Sequence, residues 1–252
     1  VVMLFQIAGI VFSYEPRFSY VSEILSPFSI SVPAGEGLPG EEPPIHVELS
    51  EEEVDAYSRR TKEESLDVEL EPEMLESFGI MRCVNDTMLE HDGMFLHAAA
   101  IAVDGKGYAF CAPSGTGKST HLKLWKDLLG DKVTIINGDR PFLRWFKGTC
   151  YLCGSPWAGK EGWGNNTLAP LDGLIFLERA NGAQCQMRRI PGSEALNPLF
   201  RQTIRPSTAA QLDACCSCFN ALIAHAPLHA LSCNPDLESA ELAYRTLTSR
   251  GE

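Results

Sequence analysis

The 252-residue chain lacks a basic surplus: 21 Lys and Arg stand against 33 Asp and Glu, a formal net charge of −12. Nucleic acids and anionic membranes are gripped chiefly through cationic footprints, so neither is an expected partner. The chain also lacks any apolar run of the ~18–20 residues that a membrane helix needs. Its opening, VVMLFQIAGIVF, has no leading positive charge and no small-residue cleavage site. It reads as a buried first strand rather than a secretory signal. A disulfide framework is missing too. The nine cysteines are odd in number and scattered, which suits reduced thiols and a cytoplasmic location. Cys150 and Cys153 form C-x-x-C, and Cys215, Cys216 and Cys218 crowd together. Four suitably placed thiolates could hold zinc. But positions i and i+3 of a strand point to opposite faces, and the second group falls in a helical stretch, so both groups read as ordinary apolar cysteines. No internal repeat is visible.

What is present is a globular composition, 44% hydrophobic and 21% charged, in a length that supports a sizeable core. The texture changes near residue 90. Residues 1–35 hold apolar stretches broken by Pro and Ser, expected to be short strands. Residues 36–53, EGLPGEEPPIHVELSEEE, read as a solvated acidic loop around a strand candidate at Ile45–Leu49. Over residues 71–90 the spacing of Met74, Leu75, Phe78, Met81, Arg82 and Leu89 predicts an amphipathic helix. Residues 1–90 are thus expected to form a small α+β region whose role the sequence does not assign.

In residues 91–252 strands and helices alternate, so the class is α/β. MFLHAAAIAV and KGYAFCA read as two strands joined by DGKG. A helix is expected from about Lys118 to Leu129, stopped by Gly130. VTIINGD is a strand with a polar end, Lys147-Gly148 the turn of a hairpin, and LDGLIFLER a buried strand. Residues 192–224 are helical with a break near Arg205-Pro206, APLHALSC is a late strand, and LESAELAYRTL closes the chain as a helix.

The chemistry concentrates in YAFCAPSGTGKSTHLKLW, Tyr108–Trp125. The phosphate-binding pattern G-x-x-x-x-G-K-[ST] falls on Ala112 to Ser119, with alanine at the first glycine. Ser114, Gly115, Thr116, Gly117, Lys118, Ser119 and Thr120 are the expected nucleotide-binding positions. Glycines let the backbone curl with its N–H groups inward, and these amides and the positive end of the helix cradle phosphate oxygens. Lys118 would neutralise the β- and γ-phosphates, and the Ser119 hydroxyl is placed for Mg²⁺. A partner carboxylate is expected after a second strand. VTIINGD supplies Asp139, 21 residues past Lys118 (139 − 118 = 21), which can bind Mg²⁺ directly or through water.

LHAAAIAVDGKGYAFCAPSGTGKSTHLKLW resembles the kinase domain of HPr kinase/phosphorylase and its smaller relatives, a group that shares a P-loop fold with phosphoenolpyruvate carboxykinase. His97 stands 21 residues before Lys118 (118 − 97 = 21), as the family's histidine does ahead of the loop. GSPWAGKEG (Gly154–Gly162), PLDGLIFLERA and LHALSCNPDLESA resemble further family segments, so the resemblance covers about residues 90–252. It implies an ATP- or GTP-dependent kinase with Mg²⁺, acting on a serine hydroxyl of a small protein or peptide by in-line transfer. Lys118 and the loop would hold the nucleotide, and Ser119 and Asp139 the metal. A carboxylate would take the acceptor proton with His97 assisting. Arg140 and Lys160 would steady the acceptor or the phosphoryl group. A homo-oligomer is expected by analogy alone.

Three departures sharpen this expectation. The family carries two adjacent aspartates where this chain has Gly138-Asp139. HPr kinases have glutamate where Thr120 follows the loop serine, and their C-terminal arginine-rich signature is not evident. HPr itself and the reverse, phosphate-driven reaction are therefore not expected. The alternative is a nucleotide-binding regulatory or interaction protein with impaired catalysis. A small-molecule or carboxykinase-like enzyme would need a further set of metal ligands, which the sequence does not show.

Overall fold

A computed structural model describes residues 1–31, 43–52, 54 and 70–249. Strands β1 (Met3–Ile7) and β2 (Ile10–Tyr14) form an antiparallel hairpin. The Ile45–Leu49 strand candidate contracts to β3 (Ile45–His46), parallel to β2. Much of the acidic loop expected at 36–53 lies outside the described residues. Before that gap the expectation of strands fails in part: the chain forms helix α1 (Ser19–Leu25) and a 3₁₀ turn, Ser26–Phe28. Val21, Leu25 and Phe28 explain this, for their i, i+4, i+7 spacing buries all three on one helical side.

Helix α2 (Pro72–Glu90) forms as expected. Pro72 sits in its first turn, where a missing N–H costs nothing. Ile80, Met81, Val84 and Met88 are buried. They join one buried cluster with Phe5, Phe12, Val21 and Phe28 and with Phe95, Phe142, Cys153 and Trp157 from beyond residue 90.

The expected single strand MFLHAAAIAV divides into β4 (Gly93–Phe95) and β5 (Ala98–Val103), with Leu96 and His97 between them. The halves serve different partners. β4 pairs with β8 (Phe142–Phe146), and β5 pairs with β6 (Lys106–Cys111) and β7 (Val133–Asn137). An apolar run cannot reveal such a division, because both halves are buried alike. Helix α3 (Lys118–Leu129) follows β6. β8 turns at Lys147-Gly148 into β9 (Thr149–Cys153).

Strand β10 (Leu168–Arg179) is longer than expected and ties the sheet together. Its first residues run antiparallel to β9, and the rest run parallel to β6 on one side and to β12 (Leu228–Cys233) on the other. The strand order is β4-β8-β9-β10-β6-β5-β7, with β12 beside β10 and β11 (Gln186–Arg189) outside it. β11 is a polar edge strand without an apolar alternation to announce it. Helices α4 (Gly192–Arg201) and α5 (Ala209–His225) flank the expected break at Arg205-Pro206, and α6 (Leu237–Thr248) closes the chain. Leu199, Phe219 and Leu222 of α4 and α5 join one apolar cluster with the sheet, and Leu122, Trp125 and Leu247 of α3 and α6 join another. The sheet is thus covered by helices in two layers. Cys150 packs against the first of these clusters, while Cys153 belongs to the α2 cluster, the opposed faces that their spacing implies. Among the described residues no helix is long and apolar enough to cross a membrane.

Candidate functional site

The site gathers where β6, β7 and the β4–β5 junction end together. Past Cys111 the chain turns through residues 112–117 into α3. Gly115 and Gly117 take φ values of 76° and 121°, in the left-handed region that side-chain-bearing residues resist. No atom lies within 4 Å of a Cβ added at either, so backbone conformation alone calls for glycine there. The Arg179 guanidinium, at the end of β10, donates to the Gly115 carbonyl at 2.5 Å and braces the turn. No motif signalled that contact.

Lys118 opens α3 and is buried. Its Nζ donates to the Ala112 carbonyl at 3.0 Å and to His97 Nε2 at 2.9 Å, and lies 3.8 Å from Asp139 Oδ1. His97 Nε2 is also 3.1 Å from Asp139 Oδ1. One ring nitrogen cannot serve both neighbours in one protonation state: it accepts from Lys118 with its lone pair, or donates a proton to Asp139. His97 is held here by the strand break. The Leu96, His97 and Ala98 N–H groups donate to the carbonyls of Pro141, Gln202 and Asp139 at 3.0, 2.7 and 3.0 Å.

Asp139 faces cations on several sides. Arg140 Nε donates to its Oδ2 at 3.1 Å. Burial works to raise the Asp139 pKa, but the hydrogen bond to His97 and the charges of His97, Arg140 and Lys118 outweigh it and hold the carboxyl below its ordinary value. Burial likewise pushes the Lys118 ammonium below its usual pKa, with Asp139 pulling the other way.

Asn137 aims the turn that carries Asp139. Fully buried, it accepts the Asp139 and Arg140 N–H groups on Oδ1 at 2.9 and 2.6 Å. Its amide donates to the Ser155 carbonyl and Oγ at 3.0 and 3.1 Å. Sequence reasoning misses this residue, which cannot act as a base. The signal is an asparagine at the end of a strand, able to hydrogen-bond backbone two residues on. Gly138 is enclosed: its N–H donates to the Trp163 carbonyl at 2.6 Å, and an added Cβ would stand 2.9 Å from the Ala158 carbonyl. The backbone of the PWAGKEG loop occupies the space that a side chain at 138 would need.

A cavity of about 1070 Å³ opens over these groups. His97, Ser114, Gly115, Gly117, Lys118, Ser119, Thr120, Asp139, Arg140 and Lys160 all line it. Thr116 does not; its N–H donates to the Pro113 carbonyl at 3.2 Å. Lys160 is exposed. Beside it Glu161, which the sequence did not single out, adds a second carboxylate to the lining. The far wall comes from the N-terminal elements: Tyr20, Ile24, Phe28, Met74 and Phe78. Two contacts fasten that wall to the site. The Arg140 guanidinium lies 4.5 Å over the Phe78 ring. Trp157 Nε1 donates to Ser77 Oγ and to its carbonyl at 3.0 and 3.1 Å.

Among the described residues, Cys185, Asp236 and Glu238 bring three potential metal-ligating atoms within 4.8 Å of one another. None of the three lines the cavity.

No family model and no curated protein matches the chain. Among solved structures, an HPr(Ser) kinase/phosphatase from Coxiella burnetii overlaps it at a TM-score of 0.37 and 12% identity, covering 62% of this chain and 99% of that one.

Proposed function

We propose that the chain is a Mg-ATP-dependent kinase that transfers the γ-phosphoryl group to a serine hydroxyl of a small protein or peptide. The observation that carries this reading is the meeting of Lys118, His97 and Asp139 beside a glycine turn and the start of a helix. Residues 91–252 are taken as the nucleotide-binding domain, and residues 1–90 as a region that closes one side of its cleft.

In this reading the loop amides of Ser114, Gly115, Gly117, Lys118, Ser119 and Thr120, which line the cavity, hold the triphosphate. Lys118 Nζ turns from His97 to the β- and γ-oxygens. Ser119 and Asp139 offer hydroxyl and carboxylate oxygens suited to Mg²⁺, and Asp139 is ionised at neutral pH. The ion would neutralise charge on the transferring phosphoryl group. Once Lys118 has turned, His97 Nε2 is released to share a proton with Asp139. The serine oxygen bonds to the γ-phosphorus, the bond from that phosphorus to the bridging oxygen of ADP breaks, and the serine proton passes to the Asp139–His97 pair. A carboxylate held so low is a weak base alone. The imidazole at 3.1 Å is where the proton can rest. Arg140 holds Asp139 in place, and Lys160 reaches the acceptor.

The test is labelled Mg-ATP with purified protein and a set of acceptor proteins, read as phosphoserine. Lys118→Ala and Asp139→Asn should each lower transfer by about 100-fold or more. A second reading, a nucleotide-binding regulatory protein, is favoured by the single carboxylate on the Gly138-Asp139 turn. Tight nucleotide binding without hydrolysis or transfer to any acceptor would select it.

A further inference from the structure

The reaction corner occupies only part of the cavity. The remainder is walled by α1, the 3₁₀ turn and α2: Tyr20, Ile24, Phe28, Met74 and Phe78. Phe28 is buried and backs the wall, while the other four are half-buried, so those four offer apolar surface that neighbouring side chains do not cover completely. The lining contributed by these elements carries no charged side chain. That wall reaches Asp139, because Arg140 contacts both Asp139 and the Phe78 ring. In-line transfer requires the leaving group and the attacking oxygen on opposite sides of the phosphorus. With the nucleotide on the loop, the attacking oxygen arrives from the side of Asp139, and whatever carries it lies along the apolar wall.

We infer that this wall is the specificity pocket for the acceptor, and that the acceptor is a peptide segment in which a large apolar side chain stands next to the phosphorylated serine. The inference rests on the kinase reading above for which end of the cavity the nucleotide takes. It also gives the N-terminal region a role, since α1 and α2 read the neighbour of the serine while the loop and Lys118 hold the nucleotide. Hydrophobic pockets of this kind discriminate by tenfold or more per side chain.

The experiment is calorimetric titration of the full chain, with Mg²⁺ and a non-hydrolysable ATP analogue, by nine-residue peptides. Each carries one central serine flanked by Leu or Phe, by Gly, or by Asp. The Leu and Phe peptides should bind about tenfold or more tighter than the Gly peptide, and the Asp peptide weakest. Ile24→Asp and Met74→Asp should bring the ratio close to one while the affinity for the nucleotide analogue stays within about twofold. Equal affinities across the series, a ranking that survives both variants, or no binding of any peptide would overturn the inference. So would variants that lose the nucleotide instead, for the wall would then hold the base. If a variant fails to fold, as a thermal melt would show, the ranking on the unaltered chain decides. Transfer from ATP to the same peptides tests the kinase reading separately. A ranking without transfer keeps the pocket and removes the kinase, and transfer without a ranking does the reverse.

Discussion

Asp139 holds the tightest knot of charge in the cavity, and the pH behaviour follows from it. Its folded-state pKa lies below the ordinary 3.8. The stabilisation it provides is therefore complete above that value and drains as pH falls through the folded value. Thermal melts of the unaltered chain and of Asp139→Asn should differ most near neutrality, by about 1–3 kcal/mol, and converge in acid. Lys118 has the same sign in an alkaline window, since burial lowers its pKa from the ordinary 10.5. Between the lowered value and 10.5 the folded state holds fewer protons than the unfolded one, so stability rises with pH while the charge that would bind phosphate is lost. Nucleotide affinity, measured by titration from pH 7 upward, should fall before pH 10.5, and Lys118→Arg should shift that fall to higher pH. Gly138 is not a vacancy awaiting an aspartate. With the Ala158 carbonyl 2.9 Å from an added Cβ, Gly138→Asp should cost about 1–3 kcal/mol in a denaturant melt and reduce transfer rather than restore it.

At the scale of elements, β6, the loop and α3 were readable because their signal is local: apolar run, glycines, lysine, then helical periodicity. His97 and Asp139 were readable as residues, Asp139 as the carboxylate that ends a strand and His97 by its spacing before Lys118 and the family resemblance. That they touch depends on the break between β4 and β5, where three consecutive N–H groups reach Pro141, Gln202 and Asp139. These contacts span the chain, and no window of sequence contains them. The same holds for α2. Its amphipathic spacing was plain, but Phe78 under Arg140 and Ser77 against Trp157 were not. Trp157→Phe should remove the indole N–H that Ser77 Oγ and carbonyl accept, and lower stability by about 1–2 kcal/mol. The consequence specific to the site is a weaker hold on the 155–164 loop, to be read as a higher KM for the acceptor at unchanged nucleotide affinity.

For the whole molecule, residues 1–90 are chemically unlike the rest, yet their core is shared. Phe5, Val21 and Phe28 lie in one cluster with Phe95, Phe142 and Trp157. A chain beginning at residue 91 should therefore expose those partners and aggregate or melt well below the full chain, which a solubility assay and a thermal melt would show. By itself the sequence determined the α/β class and the glycine loop with its lysine, and it picked out His97 and Asp139, which meet Lys118 in the fold. Each of these is written in neighbours within a few turns or strands. The tertiary structure alone decided that Gly138 has no room for a side chain, that Asn137 aims Asp139, and that α1 and α2 wall the cleft. Those outcomes depend on close approach between segments far apart in sequence, and packing distance is a property that composition and periodicity do not carry.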